Sequence, residues 1–257
     1  MLSIVATPIG NLGDITKRAL QTLESCSAII CEDTRVTGGL LHMLALEKKE
    51  LLSMHSYSDP QKLDAILARL RSGEHLALVS DAGTPGISDP GYALVSRARK
   101  EGIAIEVVPG PAAFLAALSV SGLPINQFLY LGFLPLKKGR KTMLESFKKE
   151  PHTIVFYESV HRIERTLAEL AEVLCDQPDR QVVIARELTK LHEEVISTTI
   201  GELVNATKDM VKKGEFVVVI GPQGKRRNEY CITDHHLAEC SHYGKGDRTK
   251  CSSSSYR

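Results

Sequence analysis

The sequence lacks a surplus of charge of either sign, since 32 Lys and Arg residues are balanced by 31 Asp and Glu residues and the net charge is +1. This excludes a protein coated in positive charge, so any contact with nucleic acid has to come from a local basic patch. A run of about 18 apolar residues, long enough to span a bilayer, is also missing. The apolar start, residues 1–6, is too short for a secretory signal and carries no basic residue, so we expect a cytoplasmic protein.

Cysteine is scarce, with six in 257 residues. Cys26, Cys31 and Cys175 sit in apolar or helical stretches, where reduced thiols that fill a core are expected. The other three belong to a polar tail at residues 223–257, for which we expect disorder or weak order. The tail holds Cys231, His235, His236, Cys240, His242 and Cys251 as conceivable zinc ligands. Their spacing contains no Cys-x-x-Cys pair, which favours a solvated tail, and we predict no metal.

The composition, 43% hydrophobic and 25% charged, is typical of a soluble globular protein. Short β-branched runs alternate with helix-like stretches, which predicts βαβ units and an α/β fold with mixed, mostly parallel sheets. Strands are predicted at 2–6, 28–31, 76–80, 104–108, 128–132, 153–157, 182–186, 195–200 and 216–220. Helices are predicted at 14–25, 60–71, 92–101, 141–149, 160–174 and 202–212, with another inside 109–123.

The length favours two domains, because single cores stop growing efficiently before about 300 residues. The Ala- and Ser-rich stretch 109–123 predicts a helix followed by a link, so the boundary is expected near 117–126. We therefore assign an N-terminal α/β domain to residues 1–117, a C-terminal α/β domain to 118–222 and a tail to 223–257.

Unusual segments follow predicted strands directly, at 7–14, 32–35, 81–91, 109–113, 158–159 and 187–190. In open α/β sheets, ligands bind beyond the carboxyl ends of the strands, because loops converge there and helix N-termini point their N–H groups into the crevice. The shared position of these segments predicts one ligand site.

The segment 81–91 is the most informative of them, since it has three glycines and two prolines in eleven residues. This density fixes a tight path that brings bare backbone groups close to a ligand, although a rigid strand-to-helix connection remains the alternative. Asp81 and Asp89 could accept hydrogen bonds from a ribose diol or an amino group. Either could instead cap the helix that begins near Tyr92, and for Asp89 capping or bracing of the loop is the simpler role.

The first loop is a weaker signal. Gly10 and Gly13 form only Gly-x-x-Gly, so neither a P-loop nor a dinucleotide fingerprint is present, and a plain turn explains the loop as well as a cofactor contact does. The stretch 109–113 offers small residues at a helix start, suited either to a flat ligand or to packing. Arg186, Glu187 and Glu158 stand at strand ends, where charges need partners or a crevice.

A basic stretch at 136–141 is followed by Lys148 and Lys149. Each Lys or Arg there can neutralise an RNA phosphate, and a solvated loop and helix face is the alternative.

Together, these motifs resemble those of the ribosomal RNA small subunit methyltransferase I family, a branch of the tetrapyrrole methylase superfamily. The matching stretches are VATPIGNLGDI at 5–15, CEDTR at 31–35, SDAGTPGISDPG at 80–91, VPGP at 108–111, GFLP at 132–135, FYES at 156–159 and ARELTK at 185–190. The likeness covers residues 1 to about 222, whereas the tail does not resemble the helical extension of the family.

The resemblance implies a two-domain tetrapyrrole methylase-like fold with S-adenosylmethionine bound in the cleft between the halves. It implies methyl transfer to the ribose 2′-hydroxyl of a cytidine in 16S ribosomal RNA, the small ribosomal subunit as partner, and a homodimer. The methyl-donor contacts that we expect are Pro8, Asp81, Ala82, Gly83, Pro85, Ile87, Pro111, Ala112, Ala113, Tyr157 and Arg186.

A ribose hydroxyl is a poor nucleophile, so a base or a charge that stabilises the developing oxyanion should assist the transfer. The family pattern and the strand-end positions nominate Asp33, Glu158, Glu187 and Lys190 for catalysis. Residues expected to bind RNA are Arg35, Lys137, Lys138, Arg140 and Lys141.

Two other functions remain open at this stage. A tetrapyrrole-precursor C-methyltransferase would share the pocket, but missing accessory domains and the segment 32–35 count against it. A non-catalytic ribosome-associated protein is disfavoured because both polar strand-end clusters are present.

Overall fold

The computed structural model describes residues 1–54, 60–87 and 91–223. Its first sheet has the strand order β3-β2-β4-β1-β5, and all of its pairs are parallel. The strands are β1 (Leu2–Val5), β2 (Ala28–Cys31), β3 (Glu50–Ser53), β4 (Leu76–Leu78) and β5 (Ile105–Val108). The helices α1 (Lys17–Ser25), α2 (Thr34–Met43), α3 (Pro60–Arg71) and α4 (Tyr92–Lys100) alternate with them along the chain, as parallel pairing requires.

The second sheet has the order β6-β7-β10-β8-β9 and is mixed: β6 and β7 are parallel, and its other three pairs are antiparallel. Its strands are β6 (Phe128–Phe133), β7 (Thr153–Ser159), β8 (Gln181–Arg186), β9 (Glu194–Thr199) and β10 (Glu215–Ile220). The helices of this half are α5 (Ala113–Val120), α6 (Arg140–Ser146), α7 (Ile163–Val173) and α8 (Leu203–Ala206). The predicted α/β fold with mixed, mostly parallel sheets is confirmed.

The two halves meet on the inner face of the second sheet. There Phe114 and Leu118 of α5 pack with Ile9, from the loop after β1, against strand residues such as Val183 and Val217. The first sheet is covered by apolar clusters on both faces, and the outer face of the second sheet carries its own core. This packing sets the carboxyl ends of β1 and β4 opposite β7 and β10.

Two elements were absent from the sequence-based prediction, β3 and α2. The strand β3 is a short edge strand with only two apolar residues, and α2 contains Gly38 and Gly39 together with β-branched residues, which lower helix propensity. The predicted boundary between residues 117 and 118 falls inside α5, and the division into two domains stays a prediction.

Cys26 and Cys31 are buried thiols as expected, but Cys175 is exposed, because it lies in the turn after α7 and not in the core. Within the described residues, no helix is both long and apolar enough to cross a bilayer, and no three His, Cys, Asp or Glu side chains gather as a metal site. Asp89 and the candidate zinc ligands of the tail lie outside the described residues.

Candidate functional site

A cavity of about 560 Å³ opens between the two sheets. The first half contributes Ile9, Glu32, residues 81–84, Ile87 and residues 112–113. The second half contributes Phe133, residues 157–161, Ala185, Leu188, Lys190, residues 214–215 and Val217. The volume falls within the range of about 300–1,000 Å³ that is usual for small-molecule sites, and the walls combine apolar side chains with a few polar groups.

Hydrogen bonds join three of the strand-end loops into one rim. Thr7 and Gly83 exchange backbone hydrogen bonds of 2.9 and 3.1 Å, and the Thr84 hydroxyl donates to the Pro111 carbonyl at 2.9 Å. Gly83 has φ +83°, and a Cβ there would lie 3.3 Å from Cγ2 of Ile9, so the close approach of the loops depends on glycine. The expected convergence of loops 7–14, 81–91 and 109–113 is confirmed for the residues that the structure describes, which exclude 88–90.

Asp81 is exposed at this rim. Its Oδ1 accepts the Asp33 N–H at 3.2 Å, which orients the carboxylate. A carboxylate has about four acceptor positions, so acceptor capacity remains for a ligand.

Asp33 does not line the cavity. It caps α2 by accepting the Arg35 N–H at 2.8 Å, and the Arg35 guanidinium donates to both of its oxygens. These hydrogen bonds hold the pKa of Asp33 well below its ordinary value, so this carboxylate is a weak base. The Arg35 side chain is 88% exposed, which leaves one face open to solvent.

Aromatic rings form one wall of the cavity. A register shift in β6 places Phe133 opposite Tyr157, with ring centroids 5.4 Å apart. The Tyr157 hydroxyl accepts the Phe114 N–H at 3.2 Å and so ties the first turn of α5 to the second sheet. The rings offer a flat apolar surface to a ligand.

Glu158 contributes to the wall but is itself enclosed, with 0% exposure of its side chain. Its Oε1 pairs with Arg162 at 2.8 Å and accepts the Ser159 N–H, while its Oε2 accepts the Thr166 hydroxyl at 2.7 Å. Nη1 of the Arg140 guanidinium lies 3.8 Å from Oε2 of Glu158. A carboxylate held by this many donors is a structural anchor for the turn 159–161.

Lys190 brings a cation to the cavity. Its Nζ donates to Oε1 of Glu187 and to Oε2 of Glu215, both at 2.8 Å. Burial alone would lower the pKa of Lys190, but the hydrogen bonds to the two carboxylates outweigh it and the pKa lies above its ordinary value. Glu187 itself does not line the cavity. Burial would raise its pKa, but the hydrogen bonds from Lys190 and the Glu215 N–H outweigh it, and the pKa lies below its ordinary value.

Four of the residues predicted to contact the methyl donor do not line this cavity, namely Arg186, Pro8, Pro85 and Pro111. Arg186 is buried and pairs with Glu194 at 2.9 Å across β8 and β9, and its contact with the methyl donor stays a prediction. Pro8 and Pro85 are buried outside the cavity lining, and Pro111 lines a neighbouring groove. The remaining seven residues of that prediction, Asp81, Ala82, Gly83, Ile87, Ala112, Ala113 and Tyr157, all line the cavity.

Arg140, one of the residues predicted to bind RNA, is 5% exposed. Its guanidinium donates to Glu169 at 2.8 Å and to the Thr166 hydroxyl at 2.7 Å, so it is engaged inside the protein. Lys137, Lys138 and Lys141 are exposed beside it.

Sequence reasoning missed several lining residues. The motifs quoted above include Phe133, Thr84 and Leu188. Nothing in the sequence around these three residues predicts that they line a cavity. Gly214 and Glu215 precede a strand that the sequence did predict, yet their position beside Lys190 depends on antiparallel pairing of β8 with β10.

The family model for Tetrapyrrole (Corrin/Porphyrin) Methylases matches residues 1–204. A protein of Escherichia coli O157:H7 named ribosomal RNA small subunit methyltransferase I is 46% identical over 222 residues, covering 85% of this chain and 77% of that protein. Its namesake in Thermotoga maritima is 46% identical over 219 residues, covering 85% and 97%. That of Xylella fastidiosa (strain Temecula1 / ATCC 700964) is 48% identical over 222 residues, covering 85% and 80%.

Solved structures agree on the fold. A cobalt precorrin-4 methyltransferase superposes with a TM-score of 0.61 at 20% identity, over 86% of this chain and 94% of that one. A uroporphyrin-III C-methyltransferase from Thermus thermophilus, complexed with S-adenyl homocysteine, has a TM-score of 0.58 at 20% identity, over 85% and 96%. The chain therefore belongs to the tetrapyrrole (corrin/porphyrin) methylase family and, within it, to the ribosomal RNA small subunit methyltransferase I family.

Proposed function

We propose that the protein transfers the methyl group of S-adenosylmethionine to the ribose 2′-hydroxyl of a cytidine in 16S ribosomal RNA. The observation that carries the proposal is the cavity between the two sheets, where a hydrogen-bond acceptor, Asp81, faces the same space as a cation, Lys190. The names of the relatives support RNA as the methyl acceptor. The tetrapyrrole alternative is supported only by structures of about 20% identity, which speak for the fold.

The residues of the cavity suit a sulfonium nucleoside. Asp81 can accept hydrogen bonds from the hydroxyls of a ribose, and Ala112 and Ala113 leave room beside it. Ile9 and Leu188 supply apolar contact for a flat adenine. When bound, the donor would supply an electrophilic methyl group on a positively charged sulfur. The O–CH3 bond would form as the C–S bond breaks, S-adenosylhomocysteine would leave, and the hydroxyl proton would pass to water.

Lys190 is the residue best placed to assist the attacking hydroxyl. Its ammonium reaches the cavity and stays charged, so it favours the negative charge that develops on the ribose oxygen. Glu187 and Glu215 act through Lys190 by fixing its position. Glu158 orients the turn 159–161, and Asp33 positions the start of α2 together with Arg35.

The proposed function also implies an RNA partner and a second copy of the chain. We propose that Arg35, Lys137, Lys138 and Lys141 meet RNA phosphates, and that the protein works as a cytoplasmic homodimer. Sedimentation equilibrium of the full chain tests the dimer: a monomer mass at micromolar concentration would refute it.

The Asp81→Ala variant should bind S-adenosylmethionine about 10- to 100-fold more weakly, because hydrogen bonds to a charged group contribute roughly 1.5–3 kcal/mol. Isothermal titration calorimetry measures the affinity. Asp81→Asn is the matched variant, since its amide oxygen can still accept the Asp33 N–H and keep the loop in place. If Asp81→Ala binds the donor as tightly as the unmodified protein, Asp81 is not a donor contact.

Replacing Lys137, Lys138 and Lys141 together by Gln should weaken RNA binding and reduce the slope of log K against log salt. For contacts to single-stranded RNA, each lost phosphate contact should reduce it by about 0.7. Fluorescence anisotropy at several salt concentrations measures the slope. The single variant Lys208→Gln, an exposed lysine near α8, is the control. An unchanged slope in the triple variant would assign the stretch 136–141 to a solvated surface.

The function itself is tested by incubating the protein with unmodified small subunits and labelled S-adenosylmethionine and mapping the label. The proposal predicts one labelled cytidine ribose. A label on a base, or transfer to a uroporphyrin-type precursor in place of RNA, would overturn it.

A further inference from the structure

His161 lines the cavity between the two sheets. It stands in the turn that joins β7 to α7, and it is exposed. Within the part of the chain that the structure describes, no group hydrogen-bonds to its imidazole or pairs with it. The ring nitrogens are therefore available to a ligand in the cavity, and an unprotonated imidazole has one nitrogen that accepts a proton.

The turn that carries His161 is held firmly. Oε1 of Glu158 accepts the Ser159 N–H and pairs with Arg162, both at 2.8 Å, and the Arg162 N–H donates to the Ser159 carbonyl at 3.0 Å. The Arg162 guanidinium also donates to the Leu134 carbonyl at 3.1 Å, which ties the turn to the segment after β6. The backbone under His161 is thus fixed, and this limits the positions that its ring can reach.

The sheet topology places His161 and Lys190 at the same edge. Strand β10 lies between β7 and β8 and is antiparallel to both, so β7 and β8 end side by side. Ser159 pairs with Glu215 there, and the Glu187 N–H donates to the Glu215 carbonyl at 3.0 Å. Strands separated by one other strand are about 10 Å apart, which leaves room for a ribose between the two loops.

A ribose hydroxyl has to lose its proton during methyl transfer, and few groups of the cavity suit this task. Besides His161, the titratable residues in the wall are Glu32, Asp81, Glu158, Lys190 and Glu215. The Lys190 ammonium stays charged and has no electron pair to offer. The other four are carboxylates, and two of them, Glu158 and Glu215, are ion-paired with Arg162 and Lys190. As a class, carboxylates are weaker bases than imidazoles, whose basicity suits proton transfer near neutral pH.

We propose that His161 is the general base of the methyl transfer and accepts the proton of the ribose 2′-hydroxyl. The inference rests on the proposed function and deepens it. The O–H bond breaks as the O–CH3 bond forms, the electron pair of the C–S bond stays on the sulfur, and the proton passes to the unprotonated ring nitrogen of His161. Because the residue is exposed, the imidazole then releases the proton to water. Lys190 stabilises the charge on the oxygen, and His161 removes the proton.

The test measures single-turnover methyl transfer to unmodified small subunits by the full chain. His161→Ala should lower the rate by about 100- to 10,000-fold, the usual contribution of a general base. Calorimetry should show an unchanged affinity for S-adenosylmethionine, and added imidazole should restore part of the lost rate. His42→Ala, which removes an exposed histidine of α2 outside the cavity, is the control and should keep the unmodified rate.

A pH–rate profile separates proton transfer from a structural role. The rate of the unmodified protein should rise tenfold per pH unit on the acid side and level off once the imidazole is unprotonated, and His161→Ala should lack this acid limb. His161→Gln, which retains hydrogen-bonding groups but cannot take a proton, should be as slow as His161→Ala.

Three results would overturn the inference alone: an unmodified rate in His161→Ala, a nearly unmodified rate in His161→Gln, or a slow His161→Ala variant that keeps the acid limb and is not rescued by imidazole. Absence of transfer by the unmodified protein would overturn the proposed function, and the inference with it.

Discussion

Replacing Lys190 with Met is expected to lower kcat for methyl transfer by about 100- to 1,000-fold, the usual effect of removing one donor that stabilises a developing oxyanion. The affinity for S-adenosylmethionine should change little, because the ammonium is proposed to act on the attacking oxygen. Single-turnover rates and calorimetry on the same preparation measure the two quantities.

The large effect follows from how firmly Lys190 is placed. Two carboxylates hold its Nζ, and its stem passes over Gly10, where a Cβ would collide with Cγ of Lys190. On the other side, a Cβ at Gly214 would collide with the Glu187 carboxylate. An ammonium fixed in advance does not have to reorganise during the reaction, which makes its charge more effective than a mobile charge in water.

The pH dependence gives a second readout. Because the folded pKa of Lys190 is raised, the charged form persists above the ordinary lysine value of about 10.4, and rising pH should not reduce the rate through Lys190 below that value. Glu187→Gln removes the charge of one carboxylate partner, so the pKa of Lys190 should fall and the alkaline loss of activity should begin at lower pH. If the role of Glu187 were purely structural, Glu187→Gln would leave the alkaline limb of the pH–rate profile unchanged.

Lys208→Met is the control for Lys190→Met, since it removes an exposed charge away from the cavity. If Lys190→Met transfers methyl groups at the unmodified rate, Lys190 has no part in the chemistry. If it loses donor binding in the same proportion as kcat/KM, the ammonium contacts the donor and not the ribose oxygen.

Replacing Glu158 with Ala should destabilise the fold by about 3–5 kcal/mol, because it leaves the buried Arg140 and the half-buried Arg162 without their shared carboxylate. For a domain of this size, the melting temperature should fall by roughly 6–20 °C. Differential scanning calorimetry measures the shift.

Glu145→Ala is the matched control, since Glu145 is an exposed residue of α6 and pairs with Lys148 just beyond the end of that helix. Its effect should stay below about 1 kcal/mol, as is usual for a surface pair. A Glu158→Ala variant that melts like the unmodified protein but has lost its activity would contradict the anchoring role and return Glu158 to the candidates for a catalytic base.

The fold and the rim of the cavity could be predicted because their signals are local. The glycines of the loop 81–87 identify it in the sequence as a candidate ligand-binding loop. The positions of Asp81 and Ala112 at the cavity follow from the rule that loops at the carboxyl ends of strands converge. The exposed part of the basic stretch 136–141 could be predicted only in part, because Lys138 and Arg140 look alike in the sequence while one is exposed and the other is buried.

The ion pairs could not be predicted, because each joins residues through the tertiary fold. Arg140 pairs with Glu169 of α7, and Arg186 pairs with Glu194 on the neighbouring strand, so both guanidinium groups are engaged within the protein.

The most direct test is a crystal structure of the full chain with S-adenosylhomocysteine. The nucleoside is predicted to lie in the cavity between the two sheets, with its ribose within hydrogen-bonding distance of Asp81 and its sulfur on the side of Lys190. A nucleoside bound elsewhere, with this cavity filled by protein side chains, would contradict the account.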